Sequence, residues 1–534
     1  MLQIKNLTIV HKKDLRTIIE DFHFVLNPGD KAVLIGEEGN GKSTLMKWIY
    51  NPESIEDYVE AEGERICNGE KFGYLPQELP AADRKRTVYE FFCEEEMFWE
   101  QEPKELAELA RKLHLPGDFY YSDQLMETLS GGEKVKAQML RILMGKPTVL
   151  MLDEPSNDID IETLEWLEEL INKTEQPVLF ISHDETLIER TANVVIHLEQ
   201  IRRKTRCRYT VARMPYAQYI EERGAKFQRQ EMLAQNDRRE KKIRDEKLKK
   251  LEQSVAYRLD NISKAERDGP GRLLKKKMKA VKSMEKRFER EDENMTEMPE
   301  EETAIFFKIG DKQAKIPAGK TVIDFSLDKL VQPGSKENVV KIAESTIEVS
   351  EEMAEKILAR NVKLFVKGAE KVCIVGRNGA GKTTLLRLLA EELLAREDIK
   401  AAYMPQNYEE LLDMEQTPVE YLCEVGDKEE RTRIRTWLGS LKYTADEMEH
   451  PISDLSGGQK AKVLLLKMSI SGANVLILDE PTRNFSPLSN PVIREVLKEY
   501  AGAILSVSHD RKYIGEVCDK VYELTHEGLA LREE

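Results

Sequence analysis

The sequence lacks long apolar runs and paired cysteines. No stretch of its 534 residues approaches the roughly 18 to 20 consecutive apolar residues that a membrane-spanning helix requires. The opening MLQIKNLTIV turns polar at His11 and Lys12, which is not the pattern of a signal peptide. The six cysteines are scattered without a Cys-x-x-Cys pair, which argues against a disulfide framework and against a zinc site. We therefore expect a soluble, cytoplasmic protein without a stable membrane partner.

Acidic residues outnumber basic ones overall, but one segment has the opposite balance. The net charge of −16 would by itself argue against binding to nucleic acid. Residues 223–292, however, contain 23 lysines and arginines against 13 aspartates and glutamates, which gives this segment a charge of +10 and leaves −26 for the rest. If the chain binds a polyanion, this segment is expected to make the contact.

The basic segment is almost free of helix-breaking residues. Between positions 214 and 255, glycine and proline occur only at Gly224 and Pro215, so a long helix is predicted. Residues 267–272 interrupt it, and apolar residues then recur at steps of three and four from Leu274 to Phe288, which predicts a second helix. These features predict an antiparallel hairpin with its tip at about residues 256–271. A solvated coiled-coil spacer and an arm that contacts phosphates both fit this pattern.

A set of four motifs occurs twice, once on each side of this hairpin. GEEGNGKST, LSGGE, LMLDEP and ISH in the first half correspond to GRNGAGKTT, LSGGQ, LILDEP and VSH in the second. In both halves 23 residues separate the signature serine from the aspartate of DEP, and 30 residues separate that aspartate from the histidine. A fixed internal spacing of this kind indicates a duplicated domain.

The predicted fold is therefore α/β, with two tandem nucleotide-binding domains joined by a long α-helical hairpin linker. We place the first domain at residues 1–213, the linker at 214–298 and the second domain at 299–534. The second P-loop lies about 40 residues deeper in its domain than the first. An extra segment at about 305–351 accounts for the difference, and its IFFKIG and TVIDFSL patterns predict β structure.

Each domain contains a phosphate-binding loop, Gly-x4-Gly-Lys-Ser/Thr, between a short apolar strand and a helix. The glycines allow backbone N–H groups to surround phosphates, the lysine meets the β and γ oxygens, and the hydroxyl binds Mg²⁺. ATP and Mg²⁺ are therefore the predicted cofactors. The predicted loop residues are Gly36, Gly39, Gly41, Lys42, Ser43 and Thr44 in the first copy and Gly376, Gly379, Gly381, Lys382, Thr383 and Thr384 in the second.

A pair of carboxylates follows a second apolar strand in each domain. Asp153 follows VLML and Asp479 follows VLIL, where a carboxylate can reach Mg²⁺ directly or through water. Glu154 and Glu480 come next and are placed to polarise the attacking water as catalytic residues. A pair that merely caps a loop or a helix is the alternative, and the complete P-loop in each domain disfavours it. The sequence thus predicts an ATPase.

The LSGG sequences at 129–132 and 455–458, at one fixed distance from the carboxylates, resemble the signature loop of ABC ATPases. Gln77 in YLPQ and Gln406 in YMPQ resemble that family's Q-loop, and His183 and His509 resemble its catalytic H-switch. The resemblance implies a monomer in which two domains form an intramolecular head-to-tail sandwich, with each ATP between one P-loop and the other signature. The first site would combine Lys42, Ser43, Gln77, Asp153, Glu154 and His183 with Ser456, Gly457 and Gly458, and the second Lys382, Thr383, Gln406, Asp479, Glu480 and His509 with Ser130, Gly131 and Gly132.

The same resemblance implies the metal ligands. Ser43, Gln77 and Asp153 would hold Mg²⁺ in the first site. The corresponding ligands of the second site are Thr383, Gln406 and Asp479.

Tandem domains joined by a charged hairpin, without a membrane segment, resemble the ABC-F ATPases, which act on the ribosome. This resemblance covers nearly the full chain. It implies that the linker, residues 214–298, enters the tRNA exit site of the 70S ribosome and contacts the P-site tRNA and the large-subunit ribosomal RNA near the peptidyl-transferase centre.

A finer resemblance follows the second carboxylate pair. Where general members typically read EPTNHLD, this chain has EPTRNFSPLS, which is similar to the antibiotic-resistance branch of the Vga, Lsa and VmlR type. Asp160 matches the final aspartate of the general motif, whereas Ser486 takes that place in the second copy, so equal hydrolysis at the two sites is in doubt. The branch implies ribosome protection, in which peptidyl-transferase-centre drugs (lincosamides, streptogramin A, pleuromutilins) are released. The alternatives are a housekeeping ABC-F translation factor that acts on stalled ribosomes and the ATPase subunit of an ABC transporter.

Overall fold

The computed structural model describes residues 2–13, 15–67, 69–201, 206–260, 270–292, 295–296, 298–299, 315–331, 357–441 and 443–532. The chain divides into two compact units, one formed by Met1–Tyr216 with Glu302–Glu534 and the other by Ala217–Glu301. Within the described ranges no helix has the length and apolar character needed to cross a bilayer. All six cysteines are unpaired.

The first half of the chain forms two sheets and the helices around them. Its elements are β1 (Leu2–His11), β2 (Thr17–Leu26), β3 (Lys31–Ile35), α1 (Lys42–Tyr50), β4 (Val59–Cys67), β5 (Phe72–Leu75), α2 (Ala81–Arg84), α3 (Val88–Cys93), α4 (Glu96–Glu100), α5 (Pro103–Lys112), α6 (Gly131–Met144), β6 (Val149–Asp153), α7 (Ile161–Lys173), β7 (Val178–Ile181), α8 (Glu185–Thr191), β8 (Val194–Ile201) and β9 (Arg206–Ala212).

The main sheet of the first half has six strands in the order β5-β6-β7-β3-β8-β9, and all neighbours are parallel except β8 and β9. Strands β3, β6 and β7 are the apolar runs KAVLI, VLMLD and VLFI and are buried throughout, as central parallel strands covered on both faces must be. A smaller antiparallel sheet, β2-β1-β4, contributes its alternate apolar side chains to the same core. The two apolar strands predicted before the P-loop and before Asp153 are thus confirmed.

The second unit contains two helices, α9 (Tyr216–Asp260), whose first residue belongs to the first unit, and α10 (Pro270–Asp292). Lys241 Nζ lies 2.8 Å from Asp292, and the Arg244 guanidinium stacks over Phe288 at 4.6 Å while also pairing with Asp292. Farther along, the backbone N–H of Thr296 donates to Asp237. Later residues of α9 thus meet earlier residues on the α10 side, which is the antiparallel pairing of a hairpin.

The helices of the hairpin extend farther than the sequence break suggests. Ala256 to Asp260 are still part of α9, and Pro270 and Gly271 already belong to α10. Pro270 suits the first turn of a helix, where no backbone N–H partner is needed. Residues 261–269 of the predicted tip lie outside the described residues. At about 1.5 Å per residue, the 45 residues of α9 span about 67 Å.

The second half of the chain repeats the α/β architecture. Its main sheet has the order β13-β14-β15-β12-β16-β17, and β10 pairs with β11 in a separate antiparallel sheet. The elements are β10 (Thr321–Val331), β11 (Ile357–Lys367), β12 (Lys371–Val375), α11 (Lys382–Leu394), β13 (Ala401–Met404), α12 (Pro418–Leu422), α13 (Lys428–Ser440), α14 (Ala445–Glu449), α15 (Gly457–Ser471), β14 (Val475–Asp479), α16 (Asn490–Glu499), β15 (Ala503–Val507), α17 (Arg511–Val517), β16 (Lys520–Thr525) and β17 (Gly528–Leu531).

The extra segment predicted at 305–351 is described only in part. Its TVIDFSL sequence forms β10, which agrees with the predicted β structure. IFFKIG, at 305–310, and residues 332–351 lie outside the described residues.

Candidate nucleotide-binding sites

Both P-loops need glycine at their first position. Gly36 and Gly376 have φ angles of 147° and 149°, a region that side chains rarely adopt. A Cβ atom at Gly36 would lie 2.3 Å from the carbonyl oxygen of Leu198, and one at Gly376 would lie 2.6 Å from that of Leu524. The loops can therefore turn closely over the neighbouring strand only because these positions have no side chain.

The P-loop lysines point back into their loops. Lys42 Nζ donates to the carbonyl oxygen of Gly36 at 2.9 Å and to that of the next residue at 3.1 Å. Lys382 Nζ makes the equivalent two hydrogen bonds at 2.8 and 3.0 Å. Both lysines are buried, and burial lowers the pKa of Lys382. An ammonium group that is fixed here suits the phosphates of a nucleotide, which would restore the charge balance of a buried cation.

The candidate magnesium ligands of the first site are adjacent. Ser43 Oγ donates to Asp153 Oδ1 at 3.1 Å, and the Tyr74 hydroxyl donates to Asp153 Oδ2 at 3.2 Å. Burial, with the neighbouring charge of Glu154, raises the pKa of Asp153 to about 6. Since a divalent cation favours the ionised form of a carboxylate, the site fits Mg²⁺.

In the second site, neither carboxylate oxygen of Asp479 has a hydrogen-bond partner among the described residues, although both are buried. Burial raises the pKa of Asp479 to about 6. An orphaned carboxylate of this kind fits a cation as its partner. Among the described residues no three carboxylate, histidine or cysteine groups gather to hold a metal. Mg²⁺ would then take its other ligands from water and phosphate, as it usually does.

The Q-loop glutamines contact other carboxylates in this structure. Gln77 Nε2 donates to Glu154 Oε2 at 2.8 Å. Gln406 Nε2 donates across the domain boundary to Asp158 Oδ1 at 3.3 Å. Both amides thus present nitrogen to a carboxylate, and binding of their oxygens to Mg²⁺ would require them to turn.

Glu154 is held by hydrogen bonds from two sides. His183 Nε2 lies 3.2 Å from Glu154 Oε1, and Asn157 Nδ2 donates to Oε2 at 2.6 Å. Burial opposes ionisation, but the hydrogen bond and charge of His183 outweigh it and lower the pKa of Glu154 to about 2. His183 Nδ1 in turn lies 2.8 Å from the carbonyl oxygen of Phe485 in the second domain. The first site therefore holds an ionised carboxylate whose orientation depends on both domains.

The equivalent pair in the second site is looser. His509 Nε2 lies 3.9 Å from Glu480 Oε1, and His509 Nδ1 is buried without a hydrogen-bond partner among the described residues. Burial, together with the charge of Asp479, raises the pKa of Glu480 to about 8, and burial lowers that of His509 to about 3. Both glutamates share a strained backbone, because Glu154 and Glu480 each have φ of 51°. The two sites thus differ in how their carboxylates are held.

The signature loops begin helices α6 and α15. Ser130 and Ser456 cap these helices through reciprocal capping boxes, in which each serine hydroxyl accepts from the N–H three residues on. A Cβ atom at Gly131 would lie 1.9 Å from the carbonyl oxygen of Asp158, which explains the glycine there. In the second copy the N–H of Gly458 donates to the carboxylate of Glu38 in the first P-loop, at 2.6 Å. The first P-loop therefore contacts the second signature directly.

The second P-loop faces the first signature across a cavity of about 760 Å³. Asn378, in this P-loop, also donates to the carbonyl oxygen of Asp158 at 2.5 Å. Gly132 packs against Thr163 and Gly376 against Leu524, outside the cavity lining. The predicted residues that line the cavity are Ser130, Gly131, Gly379, Gly381, Lys382, Thr383, Thr384, Gln406, Asp479, Glu480 and His509, together with His183, which was predicted for the first site.

A profile of the ABC transporter family matches residues 19–157 and 359–483, which contain the P-loops and carboxylate pairs of both sites. The chain contains two ABC-type nucleotide-binding domains and is an ATPase.

This ABC ATPase aligns over most of its length with proteins of the F group. ABC transporter F family member 5 of Arabidopsis thaliana is 25% identical over 95% of this chain and 73% of its own length. Ribosome protection protein VmlR of Bacillus subtilis is 27% identical over 96% of this chain and 85% of its own length. These relatives support the assignment of the chain to the ABC-F ATPases and its hydrolysis of ATP.

Solved structures share the fold. An archaeal ribosome recycling factor, aABCE1, determined in complex with the ribosomal stalk protein aP1, superposes with a TM-score of 0.56 at 17% identity. The match covers 98% of this chain and 89% of that one, so the two chains share the tandem α/β fold.

Several residues of the sites were not predicted from the sequence. Tyr74 stands three positions before Gln77, and no sequence motif indicates its hydrogen bond to Asp153. Leu358 precedes the second P-loop and lines the cavity, but an aliphatic residue at this position carries no motif that would indicate such a role. The Phe485 carbonyl acts through its backbone, which no side-chain pattern reveals.

Proposed function

We propose that this ABC ATPase is a ribosome-protection protein that uses ATP to bind and leave the 70S ribosome. The contacts between its two nucleotide-binding domains support the proposal, because each P-loop lies against loops of the other domain. Glu38 meets Gly458 at 2.6 Å, and Asn378 meets the loop after the first carboxylate pair at 2.5 Å. A nucleotide bound at either site would contact both domains and therefore control their closure.

In the proposed catalytic assignment, Glu154 and Glu480 accept a proton from the attacking water, and His183 and His509 orient them. Lys42 and Lys382 would hold the phosphates together with the glycine loops and the signature serines. Ser43 with Asp153, and Thr383 with Asp479, would hold Mg²⁺, which neutralises phosphate charge when bound. The closer His183–Glu154 pair favours the first site as the one already arranged for hydrolysis.

The hairpin supplies the polyanion-binding surface of the proposal. Lysines 275, 276, 277 and 279 are exposed on α10, and Arg238, Arg239 and Lys242 are exposed on α9. Such a row of cations suits the phosphate backbone of RNA. We infer that α9 and α10 enter the tRNA exit site and approach the peptidyl-transferase centre, where they displace tRNA and release bound drugs. The EPTRNFSPLS sequence and the similarity to VmlR support the drug-release step.

Sedimentation with ribosomes tests the binding step. The chain with Glu154→Gln and Glu480→Gln should keep ATP and pellet with 70S ribosomes in its presence. The same chain with Lys42→Ala and Lys382→Ala added is the matched control and should stay in the supernatant. Equal pelleting with and without ATP would contradict the proposal.

Drug susceptibility tests the protection step. Cells that express the chain should tolerate lincosamides better than cells that express a chain in which a short glycine linker replaces residues 256–271. Both chains should hydrolyse ATP, since the replaced residues lie far from the P-loops in sequence. Slowed growth of a deletion strain without any change in drug susceptibility would instead favour a housekeeping translation factor.

A further inference from the structure

Glu37, in the first P-loop, joins the two domains through its side chain. Its Oε1 accepts hydrogen bonds from Ser486 Oγ at 2.7 Å and from Ser489 Oγ at 2.5 Å, and Lys462 Nζ lies 3.8 Å from Oε2. Both serines are fully buried, and they belong to the loop that follows the second carboxylate pair. Burial opposes ionisation of Glu37, but Lys462 and the serine hydroxyls lower its pKa. Glu37 is thus an ionised carboxylate that accepts hydrogen bonds from the hydroxyls of Ser486 and Ser489, a contact that we call the clasp.

The other domain contact uses opposite chemistry at the equivalent positions. Arg377 occupies the place of Glu37 in the second P-loop and lies 3.0 Å from Glu162. The next residue, Asn378, donates its backbone N–H to Asp160 at 3.4 Å. Asp160 is the counterpart of Ser486. In one contact, the arginine and asparagine of the second P-loop therefore meet carboxylates of the first domain. In the other, the glutamate of the first P-loop meets serine hydroxyls of the second domain.

The serine at position 486 is chemically suited to the glutamate at position 37, because its hydroxyl can donate a hydrogen bond to the carboxylate. Ser486 Oγ donates to Glu37 and at the same time accepts from the backbone N–H of Ser489 at 3.2 Å. An ionised aspartate could accept the second hydrogen bond but could not donate the first. It would also place two carboxylates in contact in a buried position, which is unfavourable. The presence of Ser486 instead of the general aspartate is therefore explained by Glu37 in the first P-loop, which needs a hydrogen-bond donor.

The clasp is connected to the catalytic pair of the first site. Phe485 precedes Ser486, and its carbonyl oxygen lies 2.8 Å from His183 Nδ1. His183 Nε2 lies 3.2 Å from Glu154 Oε1. Glu37 thus fixes a loop of the second domain that in turn orients a histidine of the first. The corresponding nitrogen of His509 has no such partner among the residues described.

We propose that Glu37 is a positioning residue of the first ATP site, where its contact with Ser486 and Ser489 holds the Phe485 carbonyl against His183 and so orients Glu154. This inference rests on the proposed assignment of Glu154 as the catalytic base. It explains the unusual EPTRNFSPLS sequence through the chemistry of the opposing P-loop.

Single-turnover ATP hydrolysis in the Glu480→Gln chain tests the proposal, because that background isolates the first site. Ser486→Asp should lower the maximal rate by about 10²-fold, the effect typical of a misplaced catalytic group, with little change in the ATP concentration that gives half the maximal rate. The double variant Glu37→Arg with Ser486→Asp recreates the polarity of the other contact and should recover most of the rate. Glu64→Arg, an exposed glutamate of the same domain, is the matched control.

Three results would overturn the proposal. A Ser486→Asp chain that hydrolyses ATP at the parent rate would show that the clasp does not act on the site. A change confined to the half-saturating ATP concentration would make Glu37 a nucleotide-binding residue. A double variant as slow as Ser486→Asp, with an unchanged melting temperature, would show that charge pairing is not the cause.

A different result is expected if Glu154 is not the catalytic base. Glu154→Gln in the Glu480→Gln background should abolish the single turnover. If that variant still hydrolyses ATP at the parent rate, the assignment of the catalytic base is wrong. If it is inactive while Ser486→Asp is fully active, only the role of Glu37 is refuted.

Discussion

A buried ion pair links helices α8 and α16 and joins the two nucleotide-binding domains. Arg494 donates from Nη1 to Glu185 Oε1 at 2.7 Å and from Nη2 to Oε2 at 3.2 Å. The two side chains are only 4% and 5% exposed. Because neither group can regain full hydration in this position, removal of one partner leaves the other as an uncompensated buried charge.

Arg494→Met should therefore destabilise the chain by about 3 kcal/mol, the lower end of the roughly 3 to 5 kcal/mol typical of a broken buried pair. The lower end applies because Lys512 Nζ remains 3.2 Å from Glu185 Oε2. With a shift of about 2 to 4 °C per kcal/mol for domains of this size, thermal melting should fall by roughly 6 to 12 °C.

A double-mutant cycle separates the pair from its surroundings. Arg494→Met combined with Glu185→Leu should melt well above the Arg494→Met chain, since no buried carboxylate then lacks its guanidinium partner. The Glu516 carboxylate, which also loses Arg494, is 48% exposed, and Lys512 keeps its ion pair with Glu189. Glu169→Gln removes an exposed ion pair with Lys173 and should change the melting temperature little. An Arg494→Met chain that melts at the parent temperature would refute the reasoning, as would a double variant whose loss equals the sum of the single losses.

Four further substitutions have defined outcomes. Gly224→Ala should stabilise α9 by about 0.5 to 1 kcal/mol in thermal melting, because a Cβ atom there meets nothing within 4 Å and alanine favours helix; destabilisation would contradict it. Tyr74→Phe removes a hydrogen bond to Asp153 and should raise the Mg²⁺ concentration for half-maximal ATPase activity by about tenfold, whereas an unchanged Mg²⁺ dependence would separate Tyr74 from the metal site. Gly131→Ala should destabilise by about 1 to 3 kcal/mol because its Cβ atom would lie 1.9 Å from the Asp158 carbonyl oxygen, and Gly457→Ala by less, since its nearest neighbour is at 3.5 Å; equal melting would count against this account.

Local features of the fold could be predicted from the sequence. The runs KAVLI, VLMLD and VLFI form buried parallel strands because apolar residues on both faces suit only the centre of such a sheet. The P-loops follow their strands as the motif requires. The hairpin was predicted as well, although its helices run on to Asp260 and begin again at Pro270, because local charge patterns mark helix ends poorly.

Contacts between the domains could not be predicted in the same way. Glu37 and Ser486 are 449 positions apart, and nothing in either segment alone indicates the other. The difference between the His183 and His509 environments likewise depends on how the domains pack, although both histidines occupy the same motif position. The EPTRNFSPLS sequence indicated that the sites differ, and only the packing gives a physical reason.

A structure of the Glu154→Gln and Glu480→Gln chain, bound to the 70S ribosome with ATP, tests the central proposal most directly. The account predicts density for α9 and α10 in the tRNA exit site, with the basic face of α10 against ribosomal RNA and both nucleotides enclosed between P-loop and signature. A ribosome complex in which the hairpin points away from the exit site, or the absence of any ATP-dependent complex, would contradict it.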